Sequence, residues 1–261
     1  MVTPERPGTI LLIHGAWLTP ASWDGVRQRY EALGYTVLAP AWPHFDRPVA
    51  ELRRDPPAEI AGLSIAGIVD HYAAIVRGLA EPPIIIGHSY GGLFVMLLLD
   101  RGLGRAGVAI CPAPARGIVP TPLTLQSALP VFTTWASWSR VVTMTPQHFA
   151  RTFVNGLPPA EQQAVYDRQA VPTAGRLFWQ GAFGIGNGVW FRRSNRAPLL
   201  LITGEDDRTV DPAMVRATYR KYARSPAVTE LKAFAGRPHW IIGAPGWEEV
   251  ADYALGWATS H

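Results

Sequence analysis

Three kinds of residue able to do hydrolytic chemistry occur in this chain in a telling order. Ser89 lies in Gly87-His88-Ser89-Tyr90-Gly91. Glu205, Asp206 and Asp207 follow much later, and His239 comes after them in Gly236-Arg237-Pro238-His239-Trp240. A serine hydroxyl is a weak nucleophile and needs an adjacent base, usually histidine. The histidine in turn needs a carboxylate to fix its tautomer and stabilise the imidazolium. Serine, acid, histidine is the order in which a Gly-x-Ser-x-Gly turn assembles such a triad. Of the seven histidines only His239 and the terminal His261 follow the acids, and chain ends fray. Ser89 is therefore the expected nucleophile and His239 the expected base.

The surroundings of Ser89 suit the role. Ile84-Ile85-Ile86 reads as a buried strand and the apolar run 93–99 as a buried helix. A serine on the sharp turn between them brings the flanking chain close, and a Cβ at 87 or 91 would collide there. The strained turn holds the hydroxyl above the sheet edge, at a helix N-terminus that favours developing negative charge. The oxyanion is expected to meet two backbone N–H groups: that of Tyr90 and, from the loop His14-Gly15-Ala16-Trp17, that of Ala16. His14 is expected to brace this loop and His88 to point away from the site. Cys111, between an apolar run and Pro112, reads as a buried structural thiol.

Elements must hold these residues together. Strand-like runs at 9–14, 36–39, 84–87, 107–111, 199–203 and 229–233 alternate with helix-like runs at 23–33, 60–79, 212–222 and 247–257. This predicts an α/β fold: a mostly parallel sheet of about six strands, flanked by helices, with its site at the carboxyl ends of the strands. Residues 115–196 break the rhythm. Thr145-Pro146 and Pro158-Pro159 open two helical patterns at 147–155 and 160–170, amid many aromatics. The segment reads as a helical cap inserted into a core formed by 1–114 and 197–261. An apolar cleft needs aromatic walls. Trp17, Trp135, Trp138, Phe153, Trp179 and Trp240 are the candidates.

Composition excludes several classes. Among 261 residues, 48% are hydrophobic and 17% charged, which is globular rather than disordered. The net charge is only +4 and the basic residues never run beyond pairs such as Arg53-Arg54, so no nucleic-acid partner is expected. The single cysteine allows no intrachain disulfide and no cysteine metal cluster. No segment has the roughly 18 uninterrupted apolar residues of a membrane span, and the polar start lacks a secretory leader's apolar core. A cytoplasmic protein with a small-molecule substrate is expected, as a monomer or weak homodimer.

The chain resembles the α/β-hydrolase superfamily, in its serine-nucleophile esterase, lyase and perhydrolase-like branch. The matching residues are His14-Gly15-Ala16-Trp17, Gly87-His88-Ser89-Tyr90-Gly91-Gly92, Gly204-x-x-Asp207-x-x-Val210 and Pro238-His239-Trp240. The resemblance places the acid three residues after the glycine and three before a β-branched residue. That implies Asp207, with Asp206 as the alternative. It implies no cofactor and no metal. Two departures stand out. Only eight residues precede the first strand, too few for an N-terminal hairpin. The loop after the second strand reads Ala39-Pro40-Ala41-Trp42-Pro43-His44-Phe45-Asp46, without the Asp-x-x-Gly-x-Gly pattern of many relatives.

The expected activity is hydrolysis of an ester, lactone or thioester of a mostly apolar small molecule through an acyl-enzyme. The same triad can also serve carbon–carbon bond hydrolysis, cyanohydrin cleavage, perhydrolysis or acyl transfer. A non-catalytic ligand receptor is the minor alternative.

Overall fold

The computed structural model describes residues 8–261. Most of the polar start read above therefore lies outside the described residues. Six parallel strands form the main sheet: β1 (Thr9–Ile13), β2 (Thr36–Leu38), β3 (Ile84–His88), β4 (Ala106–Ile110), β7 (Leu199–Gly204) and β8 (Thr229–Phe234). A separate antiparallel pair, β5 (Val141–Val142) and β6 (Thr173–Ala174), lies between β4 and β7 in the chain. The main sheet has the order β2-β1-β3-β4-β7-β8. The inner strands β3 and β4 are buried throughout, as expected of near-continuous apolar runs in a parallel sheet covered on both faces.

Register sets the site. Ile13 pairs with Gly87, His88 with Ile110, Ile110 with Ile202, and Gly204 with Phe234. The carboxyl ends of β1, β3, β4, β7 and β8 thus line up along one edge. Backbone bonds extend the alignment past the strands: Ser89 N–H to the Ile110 carbonyl at 2.9 Å, and Cys111 N–H to the Ile202 carbonyl at 2.8 Å. The chain runs from β1 outward to β2, then crosses back to β3 on the other side of β1. The crevice between β1 and β3 is the switch point where open parallel sheets bind ligands.

Helices α1 (Asp24–Ala32), α2 (Val49–Arg54) and α3 (Ile65–Arg77) separate the early strands. The helix expected over 60–79 begins later. A 3-10 turn spans Ala58–Gly62, and Ser64 then caps α3 by accepting the Gly67 N–H at 3.1 Å. Helix α4 (Tyr90–Asp100) follows the serine turn; apart from its last residue it is buried, packed against β3, β4 and α3.

Between β4 and β7 the chain forms α5 (Pro122–Thr133), α6 (Pro146–Thr152), α7 (Pro159–Gln169) and α8 (Gly175–Phe183) around the β5–β6 pair. Thr145 caps α6 by accepting the His148 N–H at 3.2 Å, as its Thr-Pro sequence suggests. The purely helical expectation for 115–196 missed the two-residue strands, which are too short to show a period. Helices α9 (Pro212–Tyr222) and α10 (Trp247–Thr259) complete the layers. Among the described residues no helix is long and apolar enough to cross a membrane.

Candidate active site

Ser89 sits between β3 and α4 at φ +57°, ψ −119°, a conformation that a non-glycine residue adopts only under constraint. The glycines around it show the constraint. A Cβ on Gly87 would stand 2.2 Å from the Gly91 carbonyl oxygen, the cross-turn clash the sequence implied. A Cβ on Gly91 would instead meet the Ile13 carbonyl oxygen of β1 at 2.1 Å. Its absence lets the turn settle against the neighbouring strand. Gly15 completes the approach, since a Cβ there would stand 2.8 Å from that of Ser89. The loop carrying Ala16 is thereby pressed onto the serine. Tyr90 is the first residue of α4, so its N–H has no intrahelical acceptor.

Asp207 and His239 meet at 2.7 Å, Oδ2 to Nδ1, with both side chains fully enclosed. The other carboxylate oxygen of Asp207 accepts the N–H groups of Thr209 at 2.7 Å and Val210 at 2.8 Å. The carboxylate is thus locked in one rotamer facing the imidazole. The neighbouring acids are engaged elsewhere. Glu205 pairs with Arg216 at 2.5 Å, and the exposed Asp206 meets the Arg237 carbonyl and Asn155 through its backbone. Gly204 lets the two loops close, because a Cβ there would lie 2.3 Å from the Arg237 carbonyl oxygen. His239 Nε2, turned from Asp207, is buried without a hydrogen-bond partner among the described residues.

His14 braces its loop as expected. Its Nδ1–H donates to the Gly15 carbonyl at 2.9 Å, Nε2 accepts the Trp42 N–H at 3.2 Å, and its ring stacks on Trp42 at 4.8 Å. Burial lowers its pKa to about 4, so it is neutral. His88 departs from the expectation. Rather than pointing away, its ring packs 4.6 Å from that of His239, and its Nε2–H donates to the His239 carbonyl at 2.8 Å. It follows Gly87 on β3, and the strand's last side chain projects beneath the loop that carries His239. Burial holds it neutral, well below the usual imidazole range. Cys111 is buried as expected, in a left-handed conformation at φ +45°. Its sulfur, the Asp207 carboxylate and a His239 nitrogen lie within 4.8 Å of one another. Burial, reinforced by the Asp207 charge, keeps the thiol protonated.

A cavity of about 250 Å³ opens at Ser89, walled by Trp17, Tyr90, Phe132, Phe178 and Phe183 with Leu125 at its edge. Of the six candidate wall residues only Trp17 lines it. Trp135 and Trp138, 78% and 51% exposed, lie on the outer surface. Trp179 donates its ring N–H to Ser137 Oγ at 2.8 Å and packs among Phe132, Trp138 and Phe183. Phe153 stands edge-on to the His239 ring at 4.7 Å, and Trp240 N–H donates to the Phe153 carbonyl at 2.9 Å. These two support the histidine loop from behind. The walls that sequence reasoning left unchosen, Phe178 with Gly181 and Ala182, share one face of α8 by helical spacing.

Residues 10–253 match the model of the alpha/beta hydrolase family. The chain belongs to this family. The hydrolase is 28% identical to a pyrethroid hydrolase from Sphingobium wenxiniae, over 94% of this chain and 87% of that protein. Among solved structures it resembles a monoacylglycerol lipase from Paleococcus ferrophilus, with a TM-score of 0.72 at 22% identity over 99% of this chain and 96% of the other. It also resembles a pyrethroid hydrolase from Sphingobium faniae, with a TM-score of 0.67 at 19% identity over 97% of each. At these identities the two structures speak for the fold alone.

Proposed function

We propose that this hydrolase cleaves carboxylic esters of mostly apolar small molecules through an acyl-enzyme on Ser89. The observation that carries the reading is the enclosed Asp207–His239 pair, together with a strained serine that opens onto an apolar cavity. The relative at 28% identity, a pyrethroid hydrolase, supports ester cleavage. The structural resemblance supports the scaffold.

In this reading Ser89 Oγ attacks the ester carbonyl carbon and its proton passes to His239 Nε2. Asp207 holds the proton on Nδ1 and stabilises the imidazolium. The carbonyl oxygen becomes an oxyanion that accepts the Ala16 and Tyr90 N–H groups. Each such donor contributes about 3–4 kcal/mol to the transition state. The tetrahedral intermediate collapses, the bond to the alcohol oxygen breaks, and the alcohol leaves with the Nε2 proton. Water then attacks the acyl-enzyme as His239 takes its proton, and Ser89 departs with that proton as the acid is released. Residues 115–196 act as the cap that closes the apolar cavity.

A fluorophosphonate probe and a panel of p-nitrophenyl esters test the reading. The wild type should be labelled at Ser89 and should turn over the esters, and Ser89→Ala should do neither while keeping its fold. Ester turnover by a clean Ser89→Ala preparation would sink the assignment. Labelling with no turnover of any ester would favour a ligand receptor.

A further inference from the structure

The cavity has one polar feature that ester hydrolysis as such does not need. Tyr90 is only 7% exposed, and its ring is fixed by Phe178 at 5.1 Å and Phe94 at 6.1 Å. Its hydroxyl reaches the cavity beside Gly181, where a Cβ would stand 3.3 Å from the phenolic oxygen. Among the described residues this hydroxyl has no hydrogen-bond partner, yet it is not among the polar atoms sealed from the free surface.

Most of the other polar walls are committed. Trp17 Nε1–H donates to the Val142 carbonyl, Ser127 to the carbonyls of Thr124 and Thr209, and Thr209 to that of Thr152. Thr124 Oγ1 accepts the Asp211 N–H, which leaves its own proton free but on a half-buried residue of α5, and Arg116 is exposed to water. Apart from Ser89 itself, Tyr90 is thus the hydroxyl of the cavity wall with no hydrogen-bond partner among the described residues, in a mostly apolar space. Phenylalanine would fill the same volume without desolvating a phenol, and an unmet buried donor is costly. Burial raises the Tyr90 pKa beyond its usual range, so the group keeps its proton and can donate.

We propose that the Tyr90 hydroxyl selects substrates, donating a hydrogen bond to an ether, hydroxyl or keto oxygen carried on the acyl or alkoxy chain close to the scissile carbonyl. The inference rests on the ester reading for the identity of the ligand. The same residue offers its N–H to the carbonyl oxygen and its side chain to the chain beside it. The preferred esters are therefore apolar bodies with one oxygen near the reacting centre, rather than plain fatty acyl esters.

Matched ligands test this: phenyl methoxyacetate against phenyl butanoate for the acyl side, and 2-methoxyethyl phenylacetate against butyl phenylacetate for the alkoxy side. Binding is measured by calorimetry on Ser89→Ala, which leaves the esters intact, with and without Tyr90→Phe. In at least one pair the preference for the oxygenated member should fall about tenfold when the hydroxyl is removed. The ratio of ratios cancels differences in the ligands' own hydration. Gly181→Ala, whose methyl would crowd the phenolic oxygen, should erode the same preference and serves if Tyr90→Phe does not fold. An unchanged preference in both pairs overturns the proposal. Turnover by the Ser89 protein is read separately. Binding discrimination without turnover would retain the selector and reject the hydrolytic reading, and turnover without discrimination would do the reverse.

Discussion

Asp207 Oδ2 lies 2.7 Å from His239 Nδ1, and the other oxygen of the same carboxylate holds two backbone N–H groups. This division of labour predicts what Asp207→Asn would do. The amide oxygen would stay on the Thr209 and Val210 N–H groups, because no other atom of the side chain can accept them. The amide NH₂ would then face Nδ1, which must give up its proton and accept. The imidazole would carry its proton on Nε2, the wrong nitrogen for taking one from Ser89. We expect kcat on a p-nitrophenyl ester to fall by about 10³–10⁴ with the fold retained. A loss below tenfold would mean that the carboxylate does not set the tautomer.

Gly204→Ala should injure the same pair from a distance. Gly204 lies three residues before Asp207, and its missing Cβ faces the Arg237 carbonyl two residues before His239. At 2.3 Å from backbone oxygen, a methyl cannot be absorbed by a side-chain rotation. Overpacking of this kind costs about 1–3 kcal/mol. Here it must also push the acid loop from the histidine loop. We expect a lower denaturation midpoint and a fall in kcat larger than that of a surface control such as Gly62→Ala, where a Cβ would meet nothing within 4 Å.

Much of this arrangement is legible in the sequence. The apolar runs around Ile84, Val108 and Leu200 could form only buried parallel strands, and each strand of the main sheet agrees with its expected limits to within one residue. His239 stands out by chain order, and Asp207 among three adjacent acids only by the family resemblance; the structure brings these two side chains together. The cavity walls are not legible there. Phe178 and Trp179 are adjacent in sequence, and only the phase of α8 decides which faces Ser89. That helix begins at Gly175, which fits because a Cβ there would strike the Ser137 carbonyl at 2.2 Å. A tertiary contact thus placed a residue that weakens the helical signal. The contact between His88 and His239 was hidden for another reason. It joins residues 151 positions apart through a ring orientation that no pattern encodes.

The buried histidines predict acid sensitivity. His14 would titrate near 6.5 in the unfolded chain, but burial lowers it to about 4 in the fold. Above pH 6.5 it is neutral in both states and its stabilisation is complete. As pH falls from 6.5 towards 4, the unfolded chain binds a proton that the fold refuses, and stability is lost. The loss from this one residue is roughly 3 kcal/mol by pH 4. His88, lowered by burial and by neighbouring His239, adds to the loss with the same sign. Urea midpoints at pH 7, 5.5 and 4.5 should fall in that order, and His14→Gln should flatten the slope even where it lowers the midpoint. An unchanged slope in that variant would remove His14 from the account.

The cavity wall sets the last expectation. The Phe178 ring stands 4.7 Å from that of Trp17 and 5.1 Å from that of Tyr90, closing the space beside Ser89. Truncation to alanine would open this wall. In a hydrophobic pocket each methylene admitted or refused is worth about 1–3 kcal/mol. Phe178→Ala should therefore raise kcat/KM for octanoyl over butanoyl p-nitrophenyl esters by about tenfold or more. Trp135→Ala removes a larger ring from the same segment, but that ring lies outside the cavity and is 78% exposed. Its chain-length preference should match the wild type. The contrast separates a wall from an aromatic that is merely nearby. If Trp135→Ala shifted the preference and Phe178→Ala did not, the acyl chain would have to leave Ser89 by another route than this cavity.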